Sequence, residues 1–200
     1  MDVEFWNERY RESHRIWSGA PNPQLVTEVS ALAPGKALDI GCGEGADSIW
    51  LASRGWEVTG VDFAQAALDK GAEEAAERGL SVTWLCKDLL NWRPSQEFDL
   101  VSAQFFHLQP DLLGGVLTRL SRAVVAGGTF LVVGHNPRDL VTHTGHQRRV
   151  DVLFAPEVVV DLLDADQWEI SVAEGRSRPI ELPDGETFTY TDTVVRAKRR

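Results

Sequence analysis

Residues 38–47 read Leu-Asp-Ile-Gly-Cys-Gly-Glu-Gly-Ala-Asp, and they indicate the architecture of the whole chain. A short apolar run stops at Gly41, and helix-forming residues begin at Ala46. Glycines are needed at such a turn where the backbone takes a positive φ, or where a ligand touches the main chain with no Cβ in its way. The start of a helix adds N–H groups that lack a partner within the helix. The stretch therefore predicts a ligand-binding loop, with a tight turn that binds no ligand as the alternative.

Short apolar runs alternate with helix-forming stretches on both sides of this loop. The apolar runs cover residues 37–40, 57–61, 82–86, 98–103 and 129–133, and the helical stretches cover 46–53, 64–78 and 111–126. Such alternation predicts parallel strands joined by right-handed crossovers, and so an open α/β sheet. Two further strand-like runs, 167–173 and 187–197, flank a connection that contains Pro and Gly. They predict a C-terminal hairpin, in which at least one strand runs antiparallel to its neighbour.

The composition is typical of one globular domain, with 200 residues of which 43% are hydrophobic and 25% charged. A net charge of -10 counts against nucleic-acid binding, because an acidic chain repels phosphates. Cys42 and Cys86 form no CxxC pair, which excludes a disulfide scaffold and a cysteine zinc site. No signal-peptide pattern is present, and no apolar run approaches the ~18 residues of a membrane span. We therefore expect a cytoplasmic protein with no membrane partner.

Two acids follow the strands next to the glycine loop, and each has two interpretations. Asp62 ends the second apolar run, where a carboxylate can accept both hydroxyls of a ribose, or can cap the helix that starts near Ala64. Asp88 follows the third run, where it suits the exocyclic amine of an adenine, or serves as a turn residue. The loop itself satisfies the loose G-x-G-x-x-G/A pattern of dinucleotide sites. It equally suits S-adenosylmethionine, so the residues leave both ligands open.

In its ordered motifs the chain resembles the class I S-adenosylmethionine-dependent methyltransferases. The resemblance covers nearly the whole length, and its strongest parts are residues 38–45, 58–62, 87–89, 98–101 and 127–131. A finer resemblance is to the small tellurite-resistance and thiopurine methyltransferases. It is carried by Trp6-x-x-Arg9-Tyr10, by residues 16–19 (IWSG) with Pro23, and by residues 50–58.

This resemblance implies a Rossmann-like, open, doubly wound sheet of seven strands, mostly parallel with a C-terminal antiparallel hairpin. It implies one domain over residues 1–200: a helical lid segment (1–30), a cofactor-binding βαβ core (35–135), and a substrate-side loop with the hairpin (136–200). It also implies S-adenosylmethionine as the cofactor and S-adenosylhomocysteine as the product. The residues expected to hold the cofactor are Tyr10, Trp17, Asp39, Gly41, Cys42, Gly43, Asp62, Phe63, Asp88, Leu89, Ala103 and Gln104.

The N-terminal aromatic residues suggest a cover for that cofactor. At 100° per residue, Trp6, Tyr10, Ser13 and Trp17 fall on one stripe of a helix. The stripe is either a lid over the sulfonium or a face packed on the core. Aromatic faces stabilise a cation by roughly 0.5–2 kcal/mol.

The methyl acceptor is expected beyond the carboxyl ends of the fourth and fifth strands. His107 and His135 are the candidate catalytic residues there, because a histidine can remove a proton near neutral pH. No metal site is predicted, since the spacing of His135, His143 and His146 matches no strong ligand motif.

We therefore expect a methyltransferase that acts on a small molecule through a sulfur, nitrogen, oxygen or chalcogen nucleophile. The expected partners exclude nucleic acid, and the expected assembly is a monomer or a homodimer. Two alternatives stay open: an NAD(P)-binding oxidoreductase of Rossmann type, and a non-catalytic protein that binds S-adenosylmethionine.

Overall fold

A seven-stranded sheet organises the computed structural model, which describes residues 3–106, 108–138, 152–181 and 187–200. The strands are β1 (Lys36–Ile40), β2 (Glu57–Asp62), β3 (Val82–Cys86), β4 (Phe98–Gln104), β5 (Val124–His135), β6 (Trp168–Glu181) and β7 (Thr187–Arg199). Their order in the sheet is β3-β2-β1-β4-β5-β7-β6. The first five strands pair in parallel, and β7 pairs antiparallel with both β5 and β6. The predicted mixed sheet with its C-terminal hairpin is confirmed.

Helices cover both faces of this sheet, as a doubly wound fold requires. They are α1 (Val3–Glu12), α2 (Pro23–Val29), α3 (Ala46–Ser53), α4 (Gln65–Glu77), α5 (Pro110–Ser121) and α6 (Pro156–Val160). Because side chains alternate along a strand, Leu38 packs in one apolar cluster with residues of α5 and α6. Ala37 packs in a second cluster with residues of α2 and α3. In the part of the chain described, no helix combines the length and apolar composition needed to cross a bilayer.

The region after α5 departs from its predicted form. The helix predicted over 111–126 ends at Ser121, and β5 begins at Val124 rather than near residue 129. Val124 is buried and pairs with Phe98, whose N–H donates to the carbonyl of Ala123 at 2.7 Å. Gly127 takes φ 81° inside the strand, so it marks an irregularity in β5 and not the end of a helix. Pairing with β4 and burial of Val124 outweigh the helical spacing of this segment.

Candidate active site

The glycine loop joins β1 to α3 and lies against the end of β2. The N–H groups of Gly41 and Cys42 both donate to the carbonyl of Val61, at 2.8 and 3.1 Å. Gly45 takes φ 80°, and a Cβ there would overlap the ring of Trp84. A side chain at this position is therefore excluded by backbone strain and by space, which is why the turn needs glycine.

A cleft of about 790 Å³ opens above the loop, at the carboxyl ends of the central strands. Clefts of roughly 300–1,000 Å³ are typical of small-molecule and cofactor sites. Nine of the residues predicted to hold a cofactor line it: Tyr10, Trp17, Asp39, Gly41, Cys42, Gly43, Asp62, Phe63 and Gln104. The candidate catalytic residue His135 lines it as well.

Asp62 connects the end of β2 to the glycine loop. Its Oδ2 accepts the N–H of Gly43 at 3.0 Å, and its Oδ1 accepts the N–H of Ala64 at 2.9 Å. Burial raises the pKa of the carboxyl above its usual range, and the backbone N–H groups oppose that shift. Each carboxylate oxygen has a second lone pair, so Asp62 can cap the start of α4 and still accept ligand hydroxyls.

Two further acids lie below the loop. The Ser48 hydroxyl donates to the buried Asp39 at 2.6 Å, and the N–H of Asn22 donates to Asp47, also at 2.6 Å. Burial, followed by the charge of Asp47, raises the pKa of Asp39 to about 7. Burial likewise raises the pKa of Asp47 to about 6. Burial thus raises the pKa of both carboxyl groups, and a bound cation would favour their charged form.

The N-terminal aromatic residues meet at the mouth of the cleft, although not on one helix. The helix predicted to carry Trp6, Tyr10, Ser13 and Trp17 ends at Glu12, so the last two lie beyond it. Trp6 nevertheless lies 5.8 Å from Tyr10 and 6.4 Å from Trp17 between ring centroids. The indole N–H of Trp17 donates to the Tyr10 hydroxyl at 3.2 Å, and burial raises the pKa of Tyr10 to about 12.

Glu44, inside the glycine loop, holds this aromatic segment in place. Its buried carboxylate accepts the N–H groups of Ile16 and Trp17 at 3.0 and 3.2 Å and forms a salt bridge with Lys70 at 3.1 Å. Lys70 also donates to the carbonyl of Ser13 at 2.6 Å. Sequence reasoning missed Glu44, because an acid beside glycines in a loop carries no sign that it is buried.

Two residues that line the cleft each have a buried polar atom without a hydrogen-bond partner among the described residues. The atoms are Nδ2 of Asn22, a donor, and Oε1 of Gln104, an acceptor. Asn22 is oriented by its own Oδ1, which accepts the N–H of Gln24 at 2.9 Å, and the amide of Gln104 donates to Ser102 at 2.7 Å. Buried polar groups are nearly always paired, so these two atoms indicate a ligand or ordered water.

Another part of the lining, which we call the acceptor end, contains Phe105, His135, Val152, Leu153 and Arg178. Among the described residues other than glycine, Phe105 alone has a positive φ, 51°. Its ring lies 4.5 Å from that of His135 and 5.4 Å from the guanidinium of Arg178. Arg178 belongs to β6, far along the chain, and no sequence motif singles it out.

Several predicted residues lie elsewhere. Leu89 and Ala103 are buried in the apolar cluster of α5 and α6, and Asp88 accepts the N–H of Leu90 at 2.9 Å in its own turn. None of these three is among the described residues that line the cleft. The contacts of Asp88 and Leu89 with an adenine, and of Ala103 with the methionine part of the cofactor, therefore stay predictions. His107, His143 and His146 lie outside the described residues, within which no group of three or more His, Cys, Asp or Glu is placed to hold a metal ion.

The sheet order, the glycine loop and Asp62 define a Rossmann-like α/β protein with a cleft at the carboxyl edge of its sheet. Residues 37–128 match the family described as a methyltransferase domain. A curated relative from Mycobacteroides abscessus, a 2-heptyl-1-hydroxyquinolin-4(1H)-one methyltransferase, is 32% identical over 123 residues, which cover 58% of this chain and 54% of the relative. The thiopurine S-methyltransferase of Bordetella petrii is 29% identical over 133 residues, covering 62% of this chain and 58% of the relative.

The chain is thus similar to S-adenosylmethionine-dependent methyltransferases over its central part. It spans little more than half the length of these two relatives. One similar solved structure comes from work on the conversion of a disulfide bond into a thioacetal group during echinomycin biosynthesis. Its TM-score to this chain is 0.77 at 24% sequence identity, and the alignment covers 100% of this chain and 92% of the other. That likeness shows the fold. The predicted resemblance to methyltransferases, with a thiopurine methyltransferase among the relatives, is confirmed.

Proposed function

We propose that the protein transfers a methyl group from S-adenosylmethionine to a small-molecule acceptor, leaving S-adenosylhomocysteine. One observation carries the proposal: in a chain that resembles methyltransferases, a single cleft is lined by the glycine loop, by Asp62, and by Asn22 and Gln104, each of which has a buried polar atom without a partner among the described residues. The cleft has the size of a cofactor site with room for a second ligand.

The residues in the cleft fit the chemical groups of this cofactor. Asp62 suits the ribose hydroxyls, since its oxygens keep lone pairs after binding two backbone N–H groups. Gln104 Oε1 and the Asp39 carboxylate suit the ammonium of the methionine part, and Asn22 Nδ2 suits its carboxylate. Trp6, Tyr10 and Trp17 offer aromatic faces to a sulfonium. We assign Gly41, Cys42, Gly43 and Phe63 to the same cofactor, as residues that line the cleft.

When bound, the cofactor supplies a methyl group activated by positively charged sulfur. The protein's part is to position the two reactants and to exclude water. Positioning alone can supply roughly 7–11 kcal/mol of the barrier reduction for a well-oriented pair. We propose that residues 1–30 act as a lid, residues 35–135 as the cofactor core, and residues 136–200 as the substrate side.

The acceptor is proposed to be a small molecule, and the names of the relatives support this. One acts on a hydroxyquinolinone and another on thiopurines. His135 lines the cleft and is proposed as a base for acceptors that must lose a proton, and His107 is a second candidate. A net charge of -10 supports an acceptor other than nucleic acid. Two free cysteines support a reducing, cytoplasmic location, and the assembly is proposed to be a monomer or a homodimer.

Two alternatives are testable against this proposal. An NAD(P)-dependent oxidoreductase would use the same kind of loop, but the match of residues 37–128 to a methyltransferase domain argues against it. A non-catalytic protein that only binds S-adenosylmethionine would keep the whole cofactor side of the cleft.

Thermal unfolding with added ligands distinguishes the first alternative. S-adenosylhomocysteine at 100 times its dissociation constant should stabilise the fold by about 2.7 kcal/mol, and NADH should not. Stabilisation by NADH but not by S-adenosylhomocysteine would overturn the proposal. Methyl transfer to at least one member of a panel of thiols, phenols and heterocycles would exclude the non-catalytic alternative.

A further inference from the structure

The acceptor end of the cleft carries a guanidinium in a fixed orientation. Arg178 donates from Nε to Asp192 Oδ2 at 2.6 Å and from Nη2 to Asp192 Oδ1 at 3.0 Å. Asp192 is fully buried, and its Oδ2 also accepts the side-chain amide of Gln24 at 3.2 Å. Two bonds from a rigid, planar fork leave the guanidinium little freedom to turn.

Aromatic rings flank this guanidinium. Its central carbon lies 5.4 Å from the centroid of Phe105 and 5.8 Å from that of Tyr190. Phe105 keeps a positive φ, which is costly for a bulky residue, and such strain persists only where the surroundings enforce it. Strained residues of this kind cluster at ligand sites. Phe105 also stacks on His135, which pairs with Asp192 in the sheet, so these groups form one connected surface.

Charged side chains of both signs line the cleft. The acids Asp39, Glu44, Asp47 and Asp62 lie in or beside the glycine loop, and the cations Arg9 and Arg15 belong to the N-terminal segment. At the acceptor end, Phe105, Val152 and Leu153 are apolar, and Arg178 is the cation among the described residues there. Asp192 occupies the Nε–Nη2 edge of Arg178 from the buried side, while Arg178 itself lines the cleft.

We propose that the methyl acceptor is bound and attacks as an anion, a thiolate or an oxyanion on a flat apolar group, with Nη1 of Arg178 as its hydrogen-bond donor. This inference rests on the proposed methyltransferase function. The flat group would lie among the apolar residues of the acceptor end, and the charged atom would lie near the guanidinium. Arg178 is then an acceptor-binding residue that selects substrates by charge.

The chemistry of the transfer agrees with this arrangement. The acceptor atom forms a bond to the methyl carbon, the carbon–sulfur bond breaks, and its electron pair stays on sulfur. An anion and a sulfonium become two neutral products, with no proton to remove. A low-dielectric, water-poor cleft favours a reaction that destroys charge. A neutral amine would instead acquire the positive charge beside Arg178, which would repel it.

Binding to the complex with S-adenosylhomocysteine tests this without turnover. The probe is 4-nitrothiophenol, which is ionised at pH 8, and the uncharged comparison is 4-nitroaniline, which has a similar shape. Calorimetry on the full chain saturated with S-adenosylhomocysteine should show the thiolate binding and the aniline binding at least tenfold more weakly. 4-Nitrophenolate, run in parallel, separates thiolate from oxyanion acceptors.

Variants then assign the effect to Arg178. Replacing both partners, Arg178→Gln with Asp192→Asn, avoids leaving a buried charge unpaired, and should weaken thiolate binding roughly 10- to 100-fold. Affinity for S-adenosylhomocysteine should change less than about twofold. The matched control is Arg176→Gln, on the same strand, whose side chain pairs with Glu28 and is not among the described residues lining the cleft. Circular dichroism checks that each variant is folded.

Each outcome decides one question. No binding of S-adenosylhomocysteine to the wild type overturns the proposed function itself. If that ligand binds but the thiolate does not, or the aniline binds as tightly, the anionic acceptor is wrong. Equal losses in the double variant and in Arg176→Gln would also overturn it, since the effect would then be structural.

Discussion

The two ends of the cleft are built in different ways. The cofactor side is built around one contiguous loop: the N–H groups of Gly41 and Cys42 donate to Val61, and Asp62 accepts the N–H groups of Gly43 and Ala64. The acceptor end is made of side chains from β5, β6 and the residue after β4, and its cation is fixed by an aspartate on β7. A site built around one contiguous loop leaves a local signature in the sequence, and a site made of distant side chains does not.

The largest expected effect concerns the glycines of the cofactor side. Gly45→Ala should destabilise the fold by roughly 2–5 kcal/mol, through backbone strain and overlap with Trp84. Gly79→Ala is the matched control, because Gly79 has a similar φ of 65° but nothing within 4 Å of its added Cβ. It should cost only about 1–2 kcal/mol. Urea unfolding measures both, and equal losses would show that the tight packing of the loop contributes little.

A pH dependence is the next effect, and it belongs to Asp39. Burial raises the pKa of this carboxyl from 3.8 to about 7. Between those values the folded state keeps a proton that the unfolded state has lost, so this group lowers stability as pH rises through the interval. Asp39→Asn should remove that fall. Between about pH 4 and pH 8, the free energy of unfolding of the variant should therefore drop by roughly 1–3 kcal/mol less than that of the wild type. Identical slopes in urea unfolding for both proteins would contradict the assignment.

The smallest effect concerns the contact between the loop and the aromatic segment. Glu44→Gln removes the salt bridge to Lys70 but can still accept the N–H groups of Ile16 and Trp17. We expect a loss of roughly 1 kcal/mol in stability and faster proteolysis before residue 20. The surface variant Glu57→Gln serves as a control. Unchanged proteolysis at the N-terminus would mean that Glu44 does not hold the aromatic segment in place.

Much of the cofactor side could be predicted from sequence because periodicity and glycine spacing are local. The strand at 82–86 and the helix at 46–53 begin and end at the predicted residues. The helix predicted through 126 was wrong at its end, since tertiary pairing of Val124 overrode a helical pattern. Glu44, Asn22 and Arg178 escaped prediction because their significance lies in burial and in partners distant in the chain. The predicted helical stripe brought Trp6, Tyr10 and Trp17 together, and the three rings are indeed close in the structure. They do not share one helix, however, because Trp17 lies beyond the end of α1.

The most direct test of the central claim is the affinity for S-adenosylhomocysteine of the wild type and of Asp62→Ala, measured by calorimetry on the folded protein. The account predicts binding by the wild type and a loss of roughly 10- to 100-fold in the variant, because a buried acceptor for the ribose is removed. No heat with the wild type, or equal affinity for both proteins, would contradict it.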